Sequence, residues 1–273
     1  MMNDILILGS GFISTRLHEE LGCRLSDRKI YTFRDAESII REFSPRIIIN
    51  SIGHIGRNVD DCELDKDKAI ISNTFVPLIL AEVALRNNVR LIHMSSGCIY
   101  SFDYDKDAPI KEDKVPDYFN LFYSRTKIYS ELALGNLANK YPILIIRIRV
   151  PLDNRPSLKN ILTKLIGYKN SIIDLPNSVT YIPDFVDALK HLIKIDARGI
   201  YNVVNKGGLK YPELLDVYKK HVPGFEYRIK DYNSLNLERT NLILSVEKLE
   251  NSGFKMRDIH EVLEECVKDY LKY

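Results

Sequence analysis

Short, largely apolar runs recur along the chain: Ile5 to Leu8, Ile47 to Ile49, Leu91 to Met94, Leu144 to Ile148 and Ile200 to Val204. Apolar residues at successive positions occupy both faces of a pleat, which suits strands of a parallel sheet covered on both sides. The stretches between them, such as Asp35 to Phe43 and Thr74 to Arg86, carry helical periodicity, and Ser44-Pro45 and Asn87-Asn88 supply stops. Buried helix segments would share this pattern, but the runs are short and the connecting segments have the length of crossover helices. The pattern predicts an α/β fold with a doubly wound parallel sheet.

Beyond Val150-Pro151 the alternation weakens, and Ile200 to Val204 marks a late return to the sheet. This places 1–150 plus 181–206 in a main domain and 151–180 plus 207–273 in a smaller α/β lobe. The polar segment Ser101 to Phe119, with Pro109 and Pro116, is longer than an ordinary connection and reads as a lid or binding loop. No internal repeat or low-complexity tract interrupts the chain.

Composition narrows the partners. Lysine plus arginine (39) nearly balances aspartate plus glutamate (37) and no basic stripe stands out, which argues against nucleic acid or an anionic membrane and for a small molecule. Cys23, Cys62, Cys98 and Cys266 are scattered, without metal-ligand spacing, so reduced thiols in a cytoplasmic setting are expected. The six histidines form no metal-binding pair either, and no metal is expected. No basic leader precedes Ile5, and no apolar stretch approaches the ~20 residues of a membrane span.

The chemistry begins after the first strand. Gly9-Ser10-Gly11-Phe12-Ile13-Ser14 would let the backbone turn tightly and present a helix N-terminus to a pyrophosphate, with Ser14 where a third glycine is usual. Arg24 is a candidate cation for a 2′-phosphate, favouring NADP(H) with NADH as the alternative, although a solvated arginine fits equally. Asn50-Ser51-Ile52-Gly53 would line the cofactor cleft at a strand end. In Tyr123-Ser124-Arg125-Thr126-Lys127 the spacing of four puts Tyr123 and Lys127 on one helix face, where an ammonium lowers the phenol pKa. Among 16 tyrosines one such pair arises by chance, but this one follows Ser95-Ser96 at a strand end, where a hydroxyl could hold the same carbonyl oxygen.

Gly9-Ser10-Gly11, Asn50 to Gly53, Ser96 and Tyr123 to Lys127 resemble the extended short-chain dehydrogenase/reductase family, with its Rossmann-type domain and smaller substrate lobe. Gly56-Arg57-Asn58-Val59-Asp60-Asp61-Cys62-Glu63, Ser96-Gly97-Cys98-Ile99-Tyr100, Arg147 to Pro151, Asn160 to Lys164 and Leu175 to Ser178 are similar to the nucleotide-4-keto-6-deoxyglucose 3,5-epimerase/4-reductases of UDP-L-rhamnose synthesis. The resemblance implies a nucleotide-sugar substrate held by Ser96, Gly97, Cys98, Asn160 and Arg239, Arg57 reaching cofactor or sugar, and a homodimer. It also implies Cys98 as the base and Lys164 as the acid that invert C3 and C5 before reduction at C4. By themselves a buried cysteine is usually inert and Lys164 reads as a surface charge. Two alternatives stay open: a reductase without epimerase activity, and a catalytically idle NADP-binding regulatory subunit.

Overall fold

The computed structural model describes residues 4–235 and 238–273. Among them the strands are β1 (Ile5–Leu8), β2 (Arg24–Ser26), β3 (Ile47–Asn50), β4 (Arg90–Ser96), β5 (Ile143–Ile148), β6 (Pro151–Leu152), β7 (Ile172–Ile173), β8 (Thr180–Tyr181), β9 (Gly199–Asn202) and β10 (Ile229–Lys230). The helices are α1 (Phe12–Leu21), α2 (Phe33–Phe43), α3 (Asp61–Leu64), α4 (Lys66–Ile70), α5 (Val76–Arg86), α6 (Phe122–Ala138), α7 (Ile161–Gly167), α8 (Ile182–Lys194), α9 (Tyr211–His221), α10 (Glu247–Asn251) and α11 (Ile259–Tyr270). A π-helical turn, Ile71–Phe75, joins α4 to α5. The chain divides into two compact units: Met1–Ile99, Pro116–Arg147 and Leu192–Tyr201, and then Tyr100–Val115, Ile148–His191 and Asn202–Tyr273.

The first unit is built on a six-stranded sheet in the order β2-β1-β3-β4-β5-β9. β1 pairs in parallel with β2 on one side and β3 on the other, so strand order reverses there and a crevice opens at the carboxyl ends of β1 and β3. The predicted burial of both pleat faces holds in β1 and β4, where every residue is buried. Leu6, Leu8, Ile48, Leu91, Ile143 and Ile145 pack against α2, α5 and the end of α6. Ile5, Ile7, Ile49, Ile92, Leu144 and Ile146, the alternate positions, are buried on the opposite face. The doubly wound α/β expectation therefore stands, and the second strand that the sequence hid is the three-residue β2.

One expectation is corrected by helix continuity. Lys66–Arg86 forms 21 residues of unbroken helix, long and apolar enough by length and composition to cross a bilayer. Half of its most apolar stretch is buried, and Val76, Leu80, Ala81, Val83 and Ala84 belong to the core cluster, so a core helix accounts for the composition.

The second unit holds two small sheets, β6-β8 and β7-β10, over a core from α7, α9 and α11 that includes Leu162, Leu214, Leu215, Ile259 and Val262. Its boundaries differ from the sequence expectation because long-range backbone pairing sets them. Residues 100–115 join it through Ile110, whose N–H donates to Ile243 and whose carbonyl accepts from Ser245, while Asn202 caps the junction from its side chain. The segment read as a lid is thus stapled in place over part of its length. Asp184 of α8 accepts from Asn205 and Arg257, which ties the start of that helix to the second unit and leaves only Leu192–Tyr201 with the large sheet.

His260 bridges the N-termini of α9 and α11, with Nδ1 2.8 Å from Asp258 and Nε2 3.1 Å from Glu213. Partial burial disfavours its charge, but the hydrogen bonds to Asp258 and Glu213 outweigh this and hold the imidazole above its ordinary 6.5. A raised pKa in the folded state stabilises below the unfolded value and fades as pH climbs through the folded one. The stability gap between wild type and His260→Gln should therefore shrink between pH 6 and 8.5 in thermal unfolding. The ring is 46% exposed, so the gap stays under about 1 kcal/mol. A gap that grows with pH contradicts this assignment.

Candidate active site

At the end of β1 the chain turns through Gly9 at φ +127°, and the Gly9 N–H donates to the Ser26 carbonyl at 2.9 Å. A Cβ at Gly9 would lie 3.1 to 3.2 Å from the Ser14 Oγ and the backbone of Ser51 and Ile52, so both conformation and space require glycine. Ser14, in place of a third glycine, is fully buried and its hydroxyl accepts the Gly11 N–H at 3.0 Å. Ser10 and Gly11 remain exposed, and the first N–H groups of the ten-residue α1, from Phe12 and Ile13 onward, have no partner within the helix. This is a cradle suited to a pyrophosphate.

The neighbouring wall comes from the end of β3. Asn50 is fully buried: its Oδ1 accepts from the Ile52 N–H, and its Nδ2 lies 3.1 Å from His93 Nδ1 on β4. The amide can only donate there, so Nδ1 accepts and the ring is neutral. Complete burial and the Lys127 charge both push the His93 pKa well down. The Ser51 hydroxyl donates to the Leu8 carbonyl, and Gly53 lies where an added Cβ would meet Asn73 at 3.2 Å and the Lys127 Nζ at 3.7 Å.

Ser96 ends β4, and its Oγ accepts the Cys98 N–H at 3.1 Å, while the Cys98 carbonyl accepts from the Ser124 hydroxyl. Gly97 and the half-buried Cys98 are therefore held between strand end and helix. The start of α6 is capped by Glu63, whose carboxylate accepts the Phe122 N–H at 2.7 Å. Tyr123 packs with Cys62 and Ala69, and Cys98 lines the same cluster. One turn on, the buried Lys127 donates to the Met94 carbonyl at 3.1 Å. Burial lowers its pKa to about 8, while the Glu131 carboxylate pulls the other way. The first unit thus gathers Ser96, Cys98, Tyr123 and Lys127.

Asn73 was missed from the sequence. The π turn swings it onto the site, where its Oδ1 accepts the His54 N–H and its Nδ2 donates to the His54 carbonyl and Thr126 Oγ1. Such turns have the composition of ordinary helix, so nothing in the residue pattern announces them.

Other predicted residues stand elsewhere. Arg24 begins β2 opposite Leu6, at the end away from Gly9, with its guanidinium 5.5 Å from the Phe43 ring centroid. That corrects its assignment to a 2′-phosphate; the residues beyond the carboxyl end of β2 include Arg28 and Lys29, both exposed. Arg57 extends 90% exposed from a loop closed by Asp61, which accepts its backbone N–H at 2.8 Å.

Asn160 belongs to the second unit and has no exposed surface. Its Oδ1 accepts from Asp153 and Leu162 and its Nδ2 donates to the carbonyls of Asp153 and Arg155, making it the N-cap of α7 rather than a substrate donor. Lys164, on α7, is partly buried; burial lowers its pKa, and the neighbouring charges of Lys159 and Arg239 lower it further. Arg239 thus acts on Lys164 as a like charge.

The reversed strand order and the glycine turn define a Rossmann-type α/β unit, and its Ser-Tyr-Lys group is a candidate for acid-base chemistry. The chain belongs to the RmlD substrate binding domain family, which matches residues 9–210. It is 34% identical over 199 residues to a trifunctional UDP-glucose 4,6-dehydratase/UDP-4-keto-6-deoxy-D-glucose 3,5-epimerase/UDP-4-keto-L-rhamnose-reductase of Arabidopsis thaliana, spanning 69% of this chain and 29% of that protein. It is 32% identical over 214 residues to a bifunctional dTDP-4-dehydrorhamnose 3,5-epimerase/dTDP-4-dehydrorhamnose reductase of the same plant, spanning 75% of this chain and 67% of that one. The L780 UDP-rhamnose synthase of Acanthamoeba polyphaga mimivirus has the same fold, with TM-score 0.89 at 21% identity over 97% of this chain and 99% of that one. So has a dTDP-4-dehydrorhamnose reductase of Bacillus anthracis in complex with NADP, with TM-score 0.82 at 19% identity over 100% and 99%.

Proposed function

We propose that this protein converts a nucleotide-linked 4-keto-6-deoxyglucose, with UDP as the nucleotide, to the corresponding L-rhamnose by C3 and C5 epimerisation and NADPH-dependent reduction at C4. The observation that carries the reading is the placement of Lys127 one helical turn from Tyr123, buried against β4, with Ser96 at the end of the same strand. The bifunctional and trifunctional relatives, whose names combine the same two activities, support it.

The Gly9 turn and the N-terminus of α1 would hold the pyrophosphate, Lys127 the ribose hydroxyls, and Arg28 or Lys29 a ribose phosphate. NADPH bound there supplies the hydride. Ser96 and Tyr123 hold the C4 oxygen by hydrogen bonds, and Tyr123 gives it a proton as it becomes a hydroxyl. Lys127 makes that phenol a stronger acid through its charge. In epimerisation Cys98 as thiolate removes the proton next to the ketone, leaving an enolate whose charge rests on that same C4 oxygen. Ser96 and Tyr123 therefore stabilise both steps, and Lys164, the acid implied by the resemblance, returns a proton to carbon.

Incubation with NADPH and UDP-4-keto-6-deoxyglucose in deuterated water should give UDP-rhamnose labelled at C3 and C5. Cys98→Ala should lose this conversion while still reducing the pre-epimerised ketone. Full conversion of the unepimerised sugar by Cys98→Ala would remove Cys98 from the epimerisation, wild type that reduces only the pre-epimerised ketone would be a reductase without epimerase activity, and unchanged NADPH with every 4-keto sugar nucleotide would point to an idle subunit.

A further inference from the structure

Beneath the site lies a set of buried charges that the proposed reaction does not use. Glu131, one turn beyond Lys127 on α6, is 2% exposed and Arg147 on β5 is 1% exposed. Arg147 donates to the Glu131 Oε1 from Nε at 2.9 Å and from Nη2 at 2.6 Å, and the Ser95 hydroxyl donates to Oε2 at 2.5 Å. Both carboxylate oxygens are thus pinned, and the side chain has no freedom to swing away. A buried ion pair is seldom more stabilising than apolar residues of similar size, so its presence beside Lys127 asks for a role beyond stability.

We propose that Glu131 is a positioning residue for Lys127: held in place by Arg147 and Ser95, its carboxylate keeps the neighbouring buried ammonium charged, and through it acts on Tyr123. The proposal rests on the reading that Lys127 and Tyr123 act together on a ketone. The groups facing Lys127 come from three elements and the segment after β4. Glu131 lies on α6, Cys62 on α3, Cys98 after β4 and His93 on β4. Burial keeps the Cys62 thiol protonated, with its pKa raised to about 11, and His93 is neutral. Among the described residues that couple to the ammonium, Glu131 is the carboxylate. Burial opposes the Lys127 charge and Glu131 counters it, so loss of that carboxylate would lower the lysine pKa further.

The test reads Lys127 directly, without substrate. In protein labelled with 13C at lysine Cε, the Lys127 resonance is assigned by its absence in Lys127→Met and titrated between pH 6 and 11. Glu131→Gln should move the midpoint down by ~1 pH unit or more, a tenfold loss of proton affinity. Where Glu131→Gln does not fold, Glu131→Gln/Arg147→Met removes both charges and should also titrate below wild type. A midpoint shared with wild type in the folded variant overturns the proposal. In the reductase assay the high-pH limb should move down by the same interval, with kcat rather than the sugar KM carrying the loss. Because the titration needs no turnover, a shifted midpoint in a protein that reduces no 4-keto sugar would defeat the functional reading and leave the coupling of Glu131 to Lys127 intact.

Discussion

Replacing Tyr123 by phenylalanine should lower turnover of the 4-keto sugar nucleotide by about 10²- to 10⁴-fold, the usual contribution of a positioned proton donor. The substitution removes one hydroxyl and leaves the ring, which is 8% exposed and packed with Cys62 and Ala69, so the fold and its thermal midpoint should hold. NADPH affinity should change little, because the Gly9 turn and Lys127 lie outside the altered group. Single-turnover oxidation of NADPH, followed by absorbance and paired with fluorescence titration of the cofactor, separates the two effects. A variant that turns over within threefold of wild type would remove Tyr123 from the chemistry, whatever its neighbours do.

Arg147→Met is expected to be the most damaging single change to stability, about 3 to 5 kcal/mol in denaturant unfolding. It strands the Glu131 carboxylate in the core with the Ser95 hydroxyl as its remaining hydrogen-bond donor among the interactions described here. Water cannot replace the guanidinium at a group 2% exposed. Adding Glu131→Gln removes the stranded charge and should recover most of the loss, because replacing both partners costs far less than breaking the pair. Equal destabilisation in single and double variants would mean that the volume of Arg147, rather than its charge, supports the sheet.

Much of this could be read along the chain, and the remainder was hidden for definite reasons. Runs such as Ile5 to Leu8 are legible because a strand buried on both faces leaves an unbroken apolar signal. Tyr123 and Lys127 were legible because one helical turn brings them together and a strand-end serine precedes them. β2 was not, since Arg24-Leu25-Ser26 offers one apolar residue, and Arg24 was consequently placed at the wrong strand end. Glu131 and Arg147 sit 16 residues apart on different elements, and only the packing of α6 on the sheet reveals them as a pair. Asn160 came as a ligand contact from the resemblance, and the local sequence could not decide, because capping and ligand binding call on the same amide. The boundary at residues 100–115 depends on Ile110 meeting Ile243 and Ser245, a pairing that no local pattern encodes.

The π turn at Ile71–Phe75 also bears on how this helix could change over generations. A turn of this kind accommodates one surplus residue, so deleting a single codon there would restore plain α geometry. The downstream apolar stripe through Leu80, Val83 and Ala84 would keep its orientation. What would vanish is the bulge that carries Asn73 to His54 and Thr74 to the Thr126 carbonyl. Support for α6 and packing of the core are therefore separable inheritances within one helix, and the first can be lost without disturbing the second.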